Sequence, residues 1–147
     1  MHRYKQIIYR MGAVIEMIRC VPRGCRKGVA RGPKKTKKEI EEANLRQAAR
    51  RLSRKINANF KPGDLHVTLT YKKDARPTPE EAYKIIRDFL GDLRKEYKKH
   101  GFELKYIHAT EYERKAIHHH LIVNWVNDGK GTTRDYIRRF WKGRGNP

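Results

Sequence analysis

Two β-branched-rich runs, RYKQIIYR and AVIEMIRCV, open the chain with a turn-like break at Met11 and Gly12 between them, a pattern that predicts a hairpin. The period then changes. Ile40, Ala43, Ala48, Leu52 and Ile56 recur at helical spacing, and Thr36-Lys37-Lys38-Glu39 has the form of a capping box, so a helix is expected from Thr36 to about Asn57. Its apolar stripe is thin and its back is basic, with Arg46, Arg50, Arg51, Arg54 and Lys55, which suits a helix lying on a small core. After the turn Pro62-Gly63-Asp64, the segment LHVTLTY alternates Leu65, Val67, Leu69 and Tyr71 with His66, Thr68 and Thr70, as a strand with one apolar face does. Thr78-Pro79-Glu80-Glu81 joins an N-cap, a proline at the first helical position and a second capping box. The helix it starts carries Ala82, Ile85, Ile86, Phe89, Leu90, Leu93 and Tyr97 on a broad apolar face and ends at Gly101. FELKYIHATEYE and AIHHHLIVNW read as two further strands joined near Arg114 and Lys115, and a short helix is expected over Thr133 to Trp141.

The order strand, helix, strand, strand, helix is a split βαβ arrangement. It predicts an α+β fold, an antiparallel sheet with helices on one face, lacking its final strand. Composition adds a boundary. From Pro22 to Lys38 there are eight Lys/Arg, three Gly and two Pro with no acid, too little apolar content to repay ordering. The expected division is a hairpin with a mobile basic arm over residues 1–35 and a functional domain over 36–147.

A net charge of +20 makes a polyanion the default partner, because phosphate neutralisation by Lys and Arg releases counterions. In the arm, Arg23, Arg26, Lys27, Arg31, Lys34 and Lys35 are the candidate DNA contacts. The longest apolar runs fall far short of a spanning helix and no signal-like stretch follows Met1, so no membrane role is expected and the cytoplasm is the expected compartment. Cys20 and Cys25 form neither a disulfide framework nor a zinc knuckle and read as reduced thiols.

The chemistry concentrates at His118, His119 and His120. In a strand, His118 and His120 project to one face and His119 to the other. If the preceding strand folds back through a tight turn over Glu113 to Ala116, Glu111 lies opposite His118 and joins the two imidazoles. Two nitrogens and a carboxylate with open positions suit Mn²⁺, Mg²⁺ or Zn²⁺. A register slipped by two would substitute Glu113 as the third ligand, and His119 is assigned to structure.

Taken in order, FKPGDLHVTLTY, the helix begun by TPEEA, KYIHATEYE and AIHHHLIVNW resemble the rolling-circle replication initiators of the HUH endonuclease superfamily, the replication-associated proteins of phages, plasmids and other bacterial mobile elements. The resemblance covers about residues 55 to 145. It implies a ferredoxin-like or RRM-like fold that nicks single-stranded DNA at a replication origin in a bacterial host, with a host helicase as a further partner. By position it implies His118, His120 and Glu111 as ligands of a divalent metal, and it makes Thr68 and Thr70, on the strand upstream, candidate DNA contacts. It also implies a tyrosine nucleophile on a helix downstream of a further strand. Tyr136-Ile137-Arg138-Arg139 imitates the Tyr-x-x-Lys form, which makes Tyr136 the candidate within this chain. Periodicity, however, groups Tyr136 with Ile137, Phe140 and Trp141 on an apolar patch, and the nucleophile is expected beyond residue 147. A second reading is an RRM-like nucleic-acid-binding module without catalysis, using Tyr71, Tyr106 and Trp125 as sheet aromatics.

Overall fold

Glycine between two β-branched runs lets the chain reverse without strain, and the computed structural model shows it doing so. Strands β1 (Lys5–Met11) and β2 (Val14–Cys20) pair antiparallel with Met11 opposite Val14, which leaves Gly12 and Ala13 as the loop. Gly12 takes φ 58° and Ala13 stays at negative φ, the signature of a type II′ hairpin. The break thus sits one residue later than the pattern suggested, because Met11 is needed as an inward-facing strand residue, 6% exposed. The structure describes residues 4–20, 33–112 and 116–144. Arg23, Arg26, Lys27, Arg31, Cys25 and Glu113 lie outside them, whereas Lys34 and Lys35 are described and exposed.

Helix α1 (Lys37–Asn59) begins with the expected capping box, Thr36 accepting from the Glu39 amide and the Glu39 carboxylate accepting from the Thr36 amide. Its apolar stripe does not meet a core. No α1 residue is fully buried, and Ile40, Leu45 and Leu52 are exposed. The reason is length: at about 1.5 Å per residue the helix outruns a ribbon of seven-residue strands, and Arg54 and Asn57, near its C-terminal end, are the residues that reach it. There the Arg54 guanidinium lies 3.9 Å from the Tyr9 ring centre and grips both oxygens of Glu16, at 2.7 and 3.1 Å. The chain divides into two units, Met1–Lys61 and Pro62–Pro147, so α1 falls with the hairpin and not with the elements after it.

In the second unit, β3 (Leu65–Thr70), β4 (Tyr106–Glu111) and β5 (His118–Val123) form one sheet in the order β3-β5-β4, every pair antiparallel. Both edge strands oppose β5 and are therefore parallel to each other, with β5 inserted between them. Helix α2 (Pro79–Lys99) makes the crossover. It starts at the Thr78–Glu81 capping box with Pro79 in the first turn, and stops where Gly101 turns to φ 78°. Helix α3 (Thr133–Trp141) starts at a third capping box, Thr132 with Asp135. The fold is α+β, antiparallel sheets of two and three strands with three α-helices among the described residues, consistent with a ferredoxin-like arrangement.

The core lies on one side of this sheet. Leu69, Leu121 and Val123 from the strands meet Ile86, Phe89, Leu93 and Tyr97 of α2 and Ile137 and Trp141 of α3. Trp141 is fully buried, packs edge-on against Phe89 at 5.2 Å, and donates its indole N–H to the Thr70 carbonyl at 3.2 Å. Apolar burial and a satisfied polar handle together pin α3 beneath β3. Among the described residues, no helix is long and apolar enough to cross a membrane.

Candidate metal centre

Three successive histidines can be tolerated in a central strand only if the inward one finds polar partners, since burial of an unpaired imidazole is costly. His119 is that residue. It is fully buried on the core face, with Nε2 2.7 Å from the Tyr71 hydroxyl and Nδ1 2.8 Å from the Thr110 hydroxyl. Burial, reinforced by neighbouring His108 and His118, lowers its pKa to about 4, so it is neutral at ordinary pH. Tyr71 is pushed up to about 12 by burial and stays a phenol.

His118 and His120 therefore face outward. The register places Glu111 opposite His118 and Ala109 opposite His120 on one side, and Thr70 and Thr68 opposite the same two histidines on the other. The outer face thus brings together Glu111, His118, His120, Thr68 and Thr70, drawn from all three strands. His118 Nε2 stands 3.2 Å from His120 Nε2 and 3.2 Å from Glu111 Oε2, and His120 Nε2 stands 3.6 Å from that same oxygen. A point equidistant from the three atoms of this triangle is about 1.9 Å from each, slightly inside metal–nitrogen and metal–oxygen bonds of about 2.0–2.2 Å. One ion just off their plane would reach all three at bonding length, with the outward side left for other ligands. The three residues can hold a metal ion.

The surroundings support ligation. His118 Nδ1 lies 2.8 Å from the Ala116 carbonyl, which can only accept, so in the neutral ring the proton sits on Nδ1 and the Nε2 lone pair points at Glu111 and His120. His118 is the sunken member, its side chain 15% exposed, while His120 at 39% and Glu111 at 49% form the open rim. On the β3 side, the His66 ring stacks on His120 at 5.6 Å and 21°. The sequence pattern puts His66 on the polar face without giving it a role; its parity with Thr68 and Thr70 was the available signal.

The remaining candidates go elsewhere. Tyr136 belongs to the core cluster behind the sheet, 4% exposed, stacked on His100 at 5.9 Å and edge-on to Tyr97 at 6.4 Å. Burial and the adjacent Asp128 carboxylate raise its pKa to about 12, the opposite of what an attacking phenol needs. As a nucleophile candidate Tyr136 is therefore corrected to a core residue. Tyr71 and Tyr106 likewise sit on the core side, Tyr71 buried and Tyr106 packed against the cluster, so they build no stacking platform on the outer face; Trp125 follows β5, partly buried. Lys34 and Lys35 precede α1 in the first unit and take no part in this cluster.

Residues 64–146 match the model of a family described as replication-associated protein ORF2. No curated protein and no solved structure matches the chain.

Proposed function

Because the chain belongs to the ORF2 family of replication-associated proteins, we propose that it initiates rolling-circle replication by metal-dependent nicking of single-stranded DNA at an origin, as an enzyme of the HUH type. The observation that carries this reading is the triangle of Glu111, His118 and His120 donors, open to solvent on the outer face of the sheet. A divalent ion bound there, Mn²⁺ or Mg²⁺ with Zn²⁺ also compatible, would polarise the scissile phosphate and offset charge developing on its oxygens.

The chain's own residues supply the rest. The Ala116 carbonyl fixes the His118 tautomer, the central strand holds both imidazoles at two-residue spacing, and Glu111 balances positive charge. Thr68 and Thr70 offer hydroxyls beside the triad for neighbouring phosphates, which would set the strand's path across the sheet. A tyrosine oxygen forms a bond to phosphorus as the 3′ oxygen departs, leaving a 5′-phosphotyrosine and a free 3′-hydroxyl to prime synthesis. Tyr136, buried behind the sheet, is not that tyrosine. The catalytic unit in this reading is the second one, and the basic stretch with Lys34 and Lys35 adds salt-sensitive affinity.

The test uses protein expressed from its whole reading frame and a pool of single-stranded oligonucleotides with randomised centres. Cleavage at preferred sites is expected with Mn²⁺, lost with EDTA and with His120→Ala. Binding without metal-dependent ends would return the chain to the second reading, a nucleic-acid module without catalysis.

A further inference from the structure

The β1–β2 ribbon lies outside the family match and has one face to spare. Ile7, Tyr9, Met11, Glu16 and Ile18 are partly or fully buried on the face where Arg54 and Asn57 of α1 dock. The opposite face consists of three cross-strand pairs, Gln6 with Arg19, Ile8 with Met17, and Arg10 with Ile15. All six are exposed, and Ile8, Met17 and Ile15 remain 46%, 51% and 68% open, an apolar centre that a free ribbon would not be expected to keep on display. No acid interrupts it.

We infer that this face is a second nucleic-acid site, one that enters the major groove of duplex DNA and reads base edges. The fit is geometric first. A two-stranded ribbon is of a width the major groove admits, about 12 Å. Side chains on one face repeat every two residues, about 6.8 Å, which is two base-pair steps of about 3.4 Å. Chemistry agrees. Arginine reads guanine with a bidentate fork, glutamine reads adenine the same way, and apolar side chains contact thymine methyls; the face offers all three kinds and nothing that repels phosphate. Arg10 and Arg19 stand four residues apart along the ribbon, so the guanines they read are about four base pairs apart.

Duplex DNA fits better than the other occupants. A single strand needs stacking rings, and the six central positions hold none. A second copy of a chain with net charge +20 would bring Arg10 and Arg19 against their own kind. Duplex recognition would complement the metal centre without depending on it.

Selection from a duplex pool with a randomised centre tests this, using the full chain. The expected result is a consensus with two guanines about four base pairs apart, each preferred about tenfold. The double variant Arg10→Lys with Arg19→Lys keeps the charge and loses the fork, so non-specific duplex affinity should stay within about twofold while the consensus disappears. EDTA should leave the selection unchanged, which separates this outcome from any failure of nicking. No consensus in the parent chain, or one that survives both lysines, would overturn the proposal. So would a dimer in sedimentation that Met17→Asp dissolves with duplex binding unaltered, which would make the face an interface between copies.

Discussion

Replacing Thr133 by Val removes one hydroxyl and almost no volume, and the structure says what that hydroxyl does. Thr133 is fully buried at the first turn of α3. Its Oγ1 accepts from the Val126 amide at 2.9 Å and lies 2.6 Å from the Tyr97 hydroxyl, which itself donates to the Asn124 carbonyl at 2.7 Å. With the Tyr97 proton committed to Asn124, Thr133 must donate to Tyr97, giving a relay from Val126 through Thr133 and Tyr97 to Asn124 that ties α2, α3 and the exit of β5 together. Burial lifts the Tyr97 pKa to about 12, so the relay keeps its proton across the accessible pH range. Thr133→Val orphans the buried Val126 amide, about 1–3 kcal/mol, and breaks the link to Tyr97, about 1 kcal/mol. The expected loss is about 2–4 kcal/mol in urea unfolding, with an unchanged m-value. Thr133→Ser keeps the oxygen and should lose only about 1 kcal/mol for the methyl. In a double-mutant cycle, Tyr97→Phe should couple to Thr133→Val by more than about 0.5 kcal/mol. A Thr133→Val loss below about 0.5 kcal/mol, or strict additivity, would refute the relay.

Stability of metal-free protein should fall as pH drops through 6.5 toward 4, because His119 titrates near 6.5 when unfolded but at about 4 when folded, so the unfolded state binds the extra proton; the window is worth at most about 3 kcal/mol. His119→Gln should lose that part of the slope, and a pH profile identical to the parent's would contradict the assignment. Gly12→Ala places a Cβ 2.8 Å from the Asn57 carbonyl oxygen at φ 58°, so a loss of about 1–3 kcal/mol is expected in thermal unfolding, and neutrality would show that the hairpin and α1 do not meet there. Tyr136→Phe should leave nicking rates within about twofold, since the core position makes no phosphate contact; abolished cleavage in a folded variant would make Tyr136 the nucleophile after all.

The second unit was legible because its signals agree with one another. Capping boxes at Thr78 and Thr132 fix helix starts, strict alternation fixes which face of β3 is buried, and a turn confined to four residues leaves one register for β4 on β5. That register is what puts Glu111 beside His118. The first unit was harder to read. The α1 stripe has helical spacing, but nothing in a local pattern says whether a partner surface exists along its whole length, and beyond the ribbon none does among the described residues. Aromatics were misread for a related reason: Tyr71 follows the parity of Leu69 and goes inward, where its hydroxyl serves His119, a partner 48 residues away that no window along the chain reveals.

The central claim is that Glu111, His118 and His120 bind one ion together. Pulsed electron paramagnetic resonance on the Mn²⁺-loaded protein measures this directly, through the nitrogen couplings of coordinated imidazoles. Two imidazole nitrogens are expected in the parent, one in His120→Ala, and weaker Mn²⁺ binding with both nitrogens retained in Glu111→Gln. A spectrum without imidazole coupling, or one that His118→Ala and His120→Ala leave unchanged, would contradict the account.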